Sequence, residues 1–228
     1  MNKPVYQKET GIILFVVPYG ESDAIAKAFT KDLGYVSFFS KNALGRGRFL
    51  MFEPFSLGDF SFEEGASSLL KLREFICTEA HLPLRESLER IESASLMARA
   101  IEKTQGPGLS APALFTLLTL YLRWMPKALD PMVLAASFYL KLLQHEGLFF
   151  YSGLCQECEQ ELIEGEMCEG GVRCMHCKIG TGWSLNKEEM HLFALLSLAR
   201  EFKDLKDERL PEGFLSKIHH FFDAATNE

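Results

Sequence analysis

Six cysteines carry the most chemical promise in this sequence: Cys77, Cys155, Cys158, Cys168, Cys174 and Cys177. Four of them form two Cys-x-x-Cys pairs, Cys155-Gln-Glu-Cys158 and Cys174-Met-His-Cys177, with fifteen residues between the pairs. Two residues between thiolates let both sulfurs of a tight turn face one metal ion. A second such turn completes a tetrahedron, which suits Zn²⁺. Four protein ligands leave no position for water, so the expected ion is structural, whereas a catalytic site keeps one position open. Gly170-Gly171 supplies a hairpin turn ahead of Val172-Arg173-Cys174, and Gly180 and Gly182 follow the second pair, as in a zinc ribbon. The other chemistry open to one such pair is that of a redox dithiol. That needs a βαβ context with the cysteine at a helix start, which these glycine-rich surroundings do not offer. Cys168 and His176 are alternative ligands at poorer spacing, and Cys77, inside an apolar segment, reads as a small core residue.

No other set of residues spells out catalysis. The histidines are His81, His145, His176, His191, His219 and His220, and none sits in an HExxH or triad pattern. His219 and His220 are adjacent, so on a helix their rings point to different faces. No phosphate-cradling glycine loop is present, and Gly45-Arg46-Gly47-Arg48 is too short to be one. Binding is the stronger class. Lys27, Lys31, Lys41, Arg46 and Arg48 cluster in the N-terminal third, and between residues 31 and 48 only Asp32 opposes them. Tyr35, Phe38, Phe39 and Phe49 interleave with these cations. On a small barrel, cations track phosphates and rings stack on bases. Alternate aromatics of a strand also fill a barrel interior, which favours the loop residues Arg46 and Arg48 over the rings as contacts to a single strand. The segment around the paired cysteines holds Glu157, Glu159, Glu161, Glu164, Glu166 and Glu169 against Arg173 and Lys178. Such a surface repels phosphate and fits a structural staple or a protein contact.

The elements that must position these residues follow from periodicity. Thr10–Val17, Ala24–Thr30, Tyr35–Ser40, a bent Phe52–Phe62 and Leu69–Thr78 read as five short strands, the number of an OB-fold barrel. From Pro83 the spacing becomes helical. Helices are expected over Leu84–Thr104, Pro112–Met125 and Pro131–Glu146, the last capped by Asp130 and stopped at Gly147. After the cysteine segment, Ser184 or Asn186 caps Lys187–Lys203, and Pro211 opens a last helix to about Ala225. The expected fold class is therefore α+β, a five-stranded OB-type barrel followed by an α-helical domain with an inserted four-cysteine zinc ribbon. The expected division is 1–80 barrel, 81–150 helical domain, 151–183 zinc-binding insertion and 184–228 helices completing the helical domain. The chain's 228 residues suffice for such cores, and 47% hydrophobic with 24% charged residues is ordinary for a globular protein. A net charge of −7 excludes a histone-like binder but not a local basic patch. The apolar run Leu114–Leu122 is too short to span a bilayer, and the first ten residues lack a signal-peptide core, so the cytoplasm is the expected location.

Taken together these residues resemble the RecO family of bacterial recombination mediators. The likeness is carried by the first strand into Gly20-Glu21-Ser22-Asp23, Phe29-Thr30-Lys31-Asp32-Leu33-Gly34, Lys41 and Pro54-Phe55. It continues through Phe138-Tyr139-Leu140-Lys141-Leu142-Leu143 to Gly147 and the two cysteine pairs, covering roughly residues 10–185. The resemblance implies binding of single- and double-stranded DNA, strand annealing and remodelling of single-strand-binding protein. It also implies action with RecR, and sometimes RecF, so that RecA loads on gaps, without nucleotide hydrolysis. A receptor for the acidic, apolar-ended tail of single-strand-binding protein needs an apolar pocket with a cationic rim. Phe138 and Lys141, with Arg123 on the preceding helix, are the residues expected to supply it. Ser137 stands where the family often has Arg, and Lys41-Asn-Ala-Leu-Gly-Arg46 replaces a tighter Lys-Gly-x-Arg turn. Two other readings stay open at this level, a zinc-ribbon adaptor for protein or RNA and an enzyme using a cysteine site.

Overall fold

The computed structural model describes residues 6–43, 52–63 and 69–227. The chain divides into two compact units, residues 1–123 and 124–228. In the first, β1 (Tyr6–Tyr19), β2 (Asp23–Thr30), β3 (Gly34–Ser40), β4 (Leu57–Glu63) and β5 (Leu69–Glu79) close into a barrel of order β1-β2-β3-β5-β4. Every pair is antiparallel except β3 with β5. Strand alternation sends Ala24, Ala26 and Ala28 of β2 inward, opposite Phe38, Phe60 and Phe62. Small residues on one wall make room for large rings on the other, and Phe38 stacks on Phe60 with centroids 4.6 Å apart.

The helices α1 (Leu88–Thr104) and α2 (Pro112–Trp124) follow the barrel. The loop after α1 returns to the turn between β2 and β3, where Gly108 N–H donates to the Leu33 carbonyl. Gly34 is obligatory there: its φ is +70°, and a Cβ would stand 2.2 Å from the Leu109 carbonyl oxygen.

The second unit is built on α3 (Pro131–His145), buried along nearly its whole length. Asp130 caps it by accepting the Met132 N–H at 2.9 Å, with Pro131 at its first position. The short sheet of β6 (Gly165–Cys168), β7 (Gly171–Cys174) and β8 (Trp183–Leu185), in order β7-β6-β8, precedes α4 (Lys187–Leu198) and α5 (Phe214–Ala225). Asn186 and Glu189 form a reciprocal capping box on α4.

Five boundaries depart from the expectation. The first strand spans Tyr6–Tyr19 rather than Thr10–Val17, because Tyr6–Ile12 pair with β4. The fourth strand starts at Leu57 rather than Phe52, because Phe55 takes a left-handed turn with φ +68°. The helix expected from Leu84 splits into a 3-10 turn, Leu82–Glu86, and α1, since Ser87 is extended. The helix α4 stops at Leu198 instead of Lys203, where Ala199 leaves helical geometry and the Lys141 ammonium donates to its carbonyl. The last helix begins at Phe214, after left-handed Gly213, and Pro211 lies in the turn before it. No helix among the described residues is long and apolar enough to cross a membrane.

Candidate functional site

The paired cysteines come together as their spacing implies. The sulfurs of Cys155, Cys158, Cys174 and Cys177 all lie within 4.8 Å of one another, and Cys158 Sγ is 3.7 Å from Cys174 Sγ. A tetrahedral ion with metal–sulfur bonds of about 2.3 Å needs sulfurs about 3.8 Å apart, so the cluster has the size of such a site. Each pair sits on its own turn. In the first, Glu159 N–H donates to the Cys155 carbonyl and Glu159 is left-handed at φ +59°. In the second, Cys177 N–H donates to the Cys174 carbonyl. Cys174 N–H also donates to Cys155 Sγ at 3.3 Å, tying one turn to the other.

The electrostatics favour a cation. Burial pushes the Cys155 thiol up, but the backbone N–H groups of Cys174, Cys158 and Glu157 prevail and hold it at about 6. The Cys177 thiol donates to the Cys158 and Cys174 sulfurs, which favours its protonated form and pushes it up to about 12. Protons must remain on such a cluster of thiols, and a divalent ion removes that constraint by neutralising thiolates. The four cysteines can therefore hold a metal ion, with no ligand position left for a substrate. Cys168 and His176 stand outside this group. Cys168 is buried and accepts from Gln156 Nε2 at 3.2 Å, and His176 is exposed.

The acidic ribbon surface needs one correction. Glu157, Glu159, Glu161, Glu164 and Glu169 are exposed, but Glu166 is buried, at 1% exposure. Its carboxylate accepts the N–H groups of Ile179 at 3.0 Å, Gly180 at 3.2 Å and Gly182 at 3.0 Å, fastening the segment after Cys177 to β6. Its place in a run of six glutamates disguised it; the glycines three to five residues past Cys177 were the available signal.

The barrel residues are more dispersed than their sequence positions suggest. Lys27 is on the outer face of β2, with its ammonium 2.6 Å from Glu102 of α1. Tyr35 donates to the same carboxylate at 2.7 Å. Lys31 is exposed at the turn between β2 and β3, and Lys41 is exposed past the far end of β3, roughly 20 Å away along the strand. Phe38 is wholly interior, whereas Phe39 faces outward. Arg46, Arg48 and Phe49 lie outside the described residues.

The three residues expected to meet a partner also have internal contacts. Arg123, in the first unit, donates from Nε to Glu79 at 2.8 Å. In the second, Phe138 is fully buried and the Lys141 ammonium is bonded to the Ala199 carbonyl. Burial lowers the pKa of Lys141, and nearby Arg200 adds to the effect. Ser137 is buried, and its hydroxyl donates to the Leu196 carbonyl of α4 at 2.6 Å.

Comparison with known proteins matches both units. A family model described as Recombination protein O N terminal matches residues 1–81, and one described as Recombination protein O C terminal matches residues 85–226. A DNA repair protein RecO of Chlamydia pneumoniae is 26% identical over 96% of this chain and 88% of its own length. The corresponding protein of Chlamydia muridarum is 27% identical over 96% and 95%. That of Alkaliphilus metalliredigens is 29% identical over 75% and 71%.

Proposed function

Since the chain belongs to the RecO family of DNA repair proteins, we propose that it is a recombination mediator that binds DNA and catalyses no reaction of its own. The observation that carries this reading is the closed barrel of order β1-β2-β3-β5-β4 in the part of the chain that the N-terminal family model covers. In this reading the barrel binds single- and double-stranded DNA, with Lys27, Lys31, Lys41, Arg46 and Arg48 as its phosphate partners. Cations that neutralise phosphates on two strands lower the repulsion between them and so favour annealing. The net charge of −7 makes this depend on the local distribution of charge.

Zn²⁺ is the ion we assign to Cys155, Cys158, Cys174 and Cys177, and when bound it supplies a cross-link between two turns. The segment 151–183 is then a structural staple, and partners are met by the helices within residues 81–150 and 184–228. The partners are RecR and the C-terminal tail of single-strand-binding protein, with RecF and RecA engaged indirectly, and the setting is the bacterial cytoplasm at the nucleoid. Arg123, Phe138 and Lys141 remain the proposed tail contacts. Engagement through Lys141 has to displace its bond to Ala199. The deciding experiment is annealing of complementary strands coated with the cognate single-strand-binding protein. Addition of this chain is expected to speed duplex formation; an unchanged rate overturns the mediator reading.

A further inference from the structure

The outer face of the barrel carries a row of side chains that its core does not use. On β1, β2 and β3 the interior takes Val16, Ala24, Ala26, Ala28, Val36 and Phe38. Alternation then turns Val17, Ile25 and Phe39 outward. Register aligns them across the sheet: Val17 pairs with Ile25, Ile25 with Phe39, and Phe39 with Lys71. At one end of this face, Glu102 of α1 engages Lys27 and Tyr35. At the other end, Tyr19 closes the row, its ring centroid 5.8 Å from that of Phe39 and its plane at 90°. Tyr19 remains 59% exposed and Val17 42% exposed.

Cations border these rings. Lys41 is exposed two residues past Phe39. Lys71, next to Phe39 on β5, is largely exposed with Glu63 3.5 Å from its ammonium. Of the nearby acids, Asp23 already accepts the Asn42 N–H at 2.8 Å, and Glu21 sits in the exposed turn. An exposed ring set in an apolar row with flanking cations fits one ligand chemistry closely. Unpaired nucleotides offer a base face of any sequence and a phosphate at each step, whereas a duplex hides its base faces by stacking.

We propose that Tyr19 and Phe39 form a stacking platform for the bases of an unpaired strand, with Lys41 and Lys71 holding its phosphates. The proposal rests on the DNA-binding reading and deepens it, because it gives the barrel a means of preferring unpaired DNA. A protein partner could also cover an apolar row, but it would not couple Tyr19 to nucleobases.

That coupling is the test. The full-length chain, Tyr19→Ala and Tyr19→Trp are titrated with an oligothymidine strand and with an abasic strand of equal length and charge. Tyr19→Ala is expected to weaken binding to the thymidine strand about tenfold or more and to the abasic strand by less than about twofold. Tyr19→Trp, which keeps a π-face, restores the thymidine affinity. Equal losses on the two strands, or no loss on either, overturn the platform. If the wild-type chain binds both strands and Tyr19→Ala is unchanged, only the platform fails; if the wild type binds neither strand, the DNA-binding reading fails with it.

Discussion

Replacing Glu166 by Gln keeps the side chain's size and removes its charge, which isolates how the metal-binding segment is held. The carboxylate is 1% exposed and accepts three backbone N–H groups, Ile179 and Gly180 on Oε2 and Gly182 on Oε1. Burial pushes this carboxyl up, but the N–H groups of Gly182, Gly180 and Ile179 outweigh it and hold it below the ordinary carboxylate value. The segment cannot retreat from β6 without cost, because the same bonds seat Gly182, where a Cβ would stand 2.0 Å from the Met167 carbonyl oxygen. In its least harmful orientation the glutamine oxygen keeps Ile179 and Gly180 and turns its NH₂ toward the Gly182 N–H. One bond to a charged acceptor is lost and two are weakened. A bond to a charged group contributes about 1.5–3 kcal/mol, and water at the exposed loop recovers part of it, so the expected loss is about 2 kcal/mol. For a chain of this size that lowers Tm by about 4–8 °C. The pH dependence has a definite sign. A carboxyl whose folded pKa lies below its unfolded value stabilises above the unfolded value, and that stability is lost as pH falls through the folded one. Thermal melts of wild type and Glu166→Gln are therefore expected to differ near neutral pH and to converge in acid. Melting temperatures within about 1 °C of each other at neutral pH, or a gap that does not narrow in acid, would refute the reasoning.

The remaining predictions concern the cysteines, the basic residues between 41 and 48 and the second unit's interior. Purified protein is expected to hold one Zn²⁺ per chain on four sulfurs near ~2.3 Å, read by X-ray absorption. Cys174→Ser should release the metal and loosen the β6–β8 segment while the barrel stays folded, as hydrogen exchange would report. Changing Lys41, Arg46 and Arg48 together to Glu should weaken DNA binding whatever the sequence and flatten its salt dependence, since fewer counterions are released; an unchanged salt slope moves the phosphate contacts elsewhere. Lys141→Met should cost ~1 kcal/mol in denaturant unfolding through loss of the bond that ends α4. Titrating an acidic, apolar-ended peptide into that variant and the wild type tests the partner role separately, and equal affinities remove Lys141 from it.

The elements legible in the sequence were those whose signal is local. Two Cys-x-x-Cys turns draw four sulfurs within 4.8 Å because each turn already aims two of them at one point. Periodicity marks Ala24–Thr30 as a strand, and Asp130-Pro131 and the Ser184/Asn186 pair mark helix starts, since a cap acts on the N–H groups just after it. Where the structure departs from local expectation, the deciding contact is distant along the chain. Nothing near Leu198 says that α4 must stop, because the group that meets its last carbonyls, Lys141, is 58 residues away. The bend at Phe55 is held by His81, whose Nδ1 lies 2.8 Å from the Phe55 carbonyl oxygen across 26 residues. Glu166 looks like its five acidic neighbours until β6 turns it under the segment after Cys177. The cations of the barrel follow the same logic. Lys31 and Lys41 are close in sequence, but a seven-residue strand carries them to opposite ends of the sheet. Tyr19 and Phe39, twenty residues apart, come within 5.8 Å because strand register pairs their ends. Sequence spacing decides what a single turn, cap or strand can do, whereas strand pairing and helix packing decide which distant side chains meet.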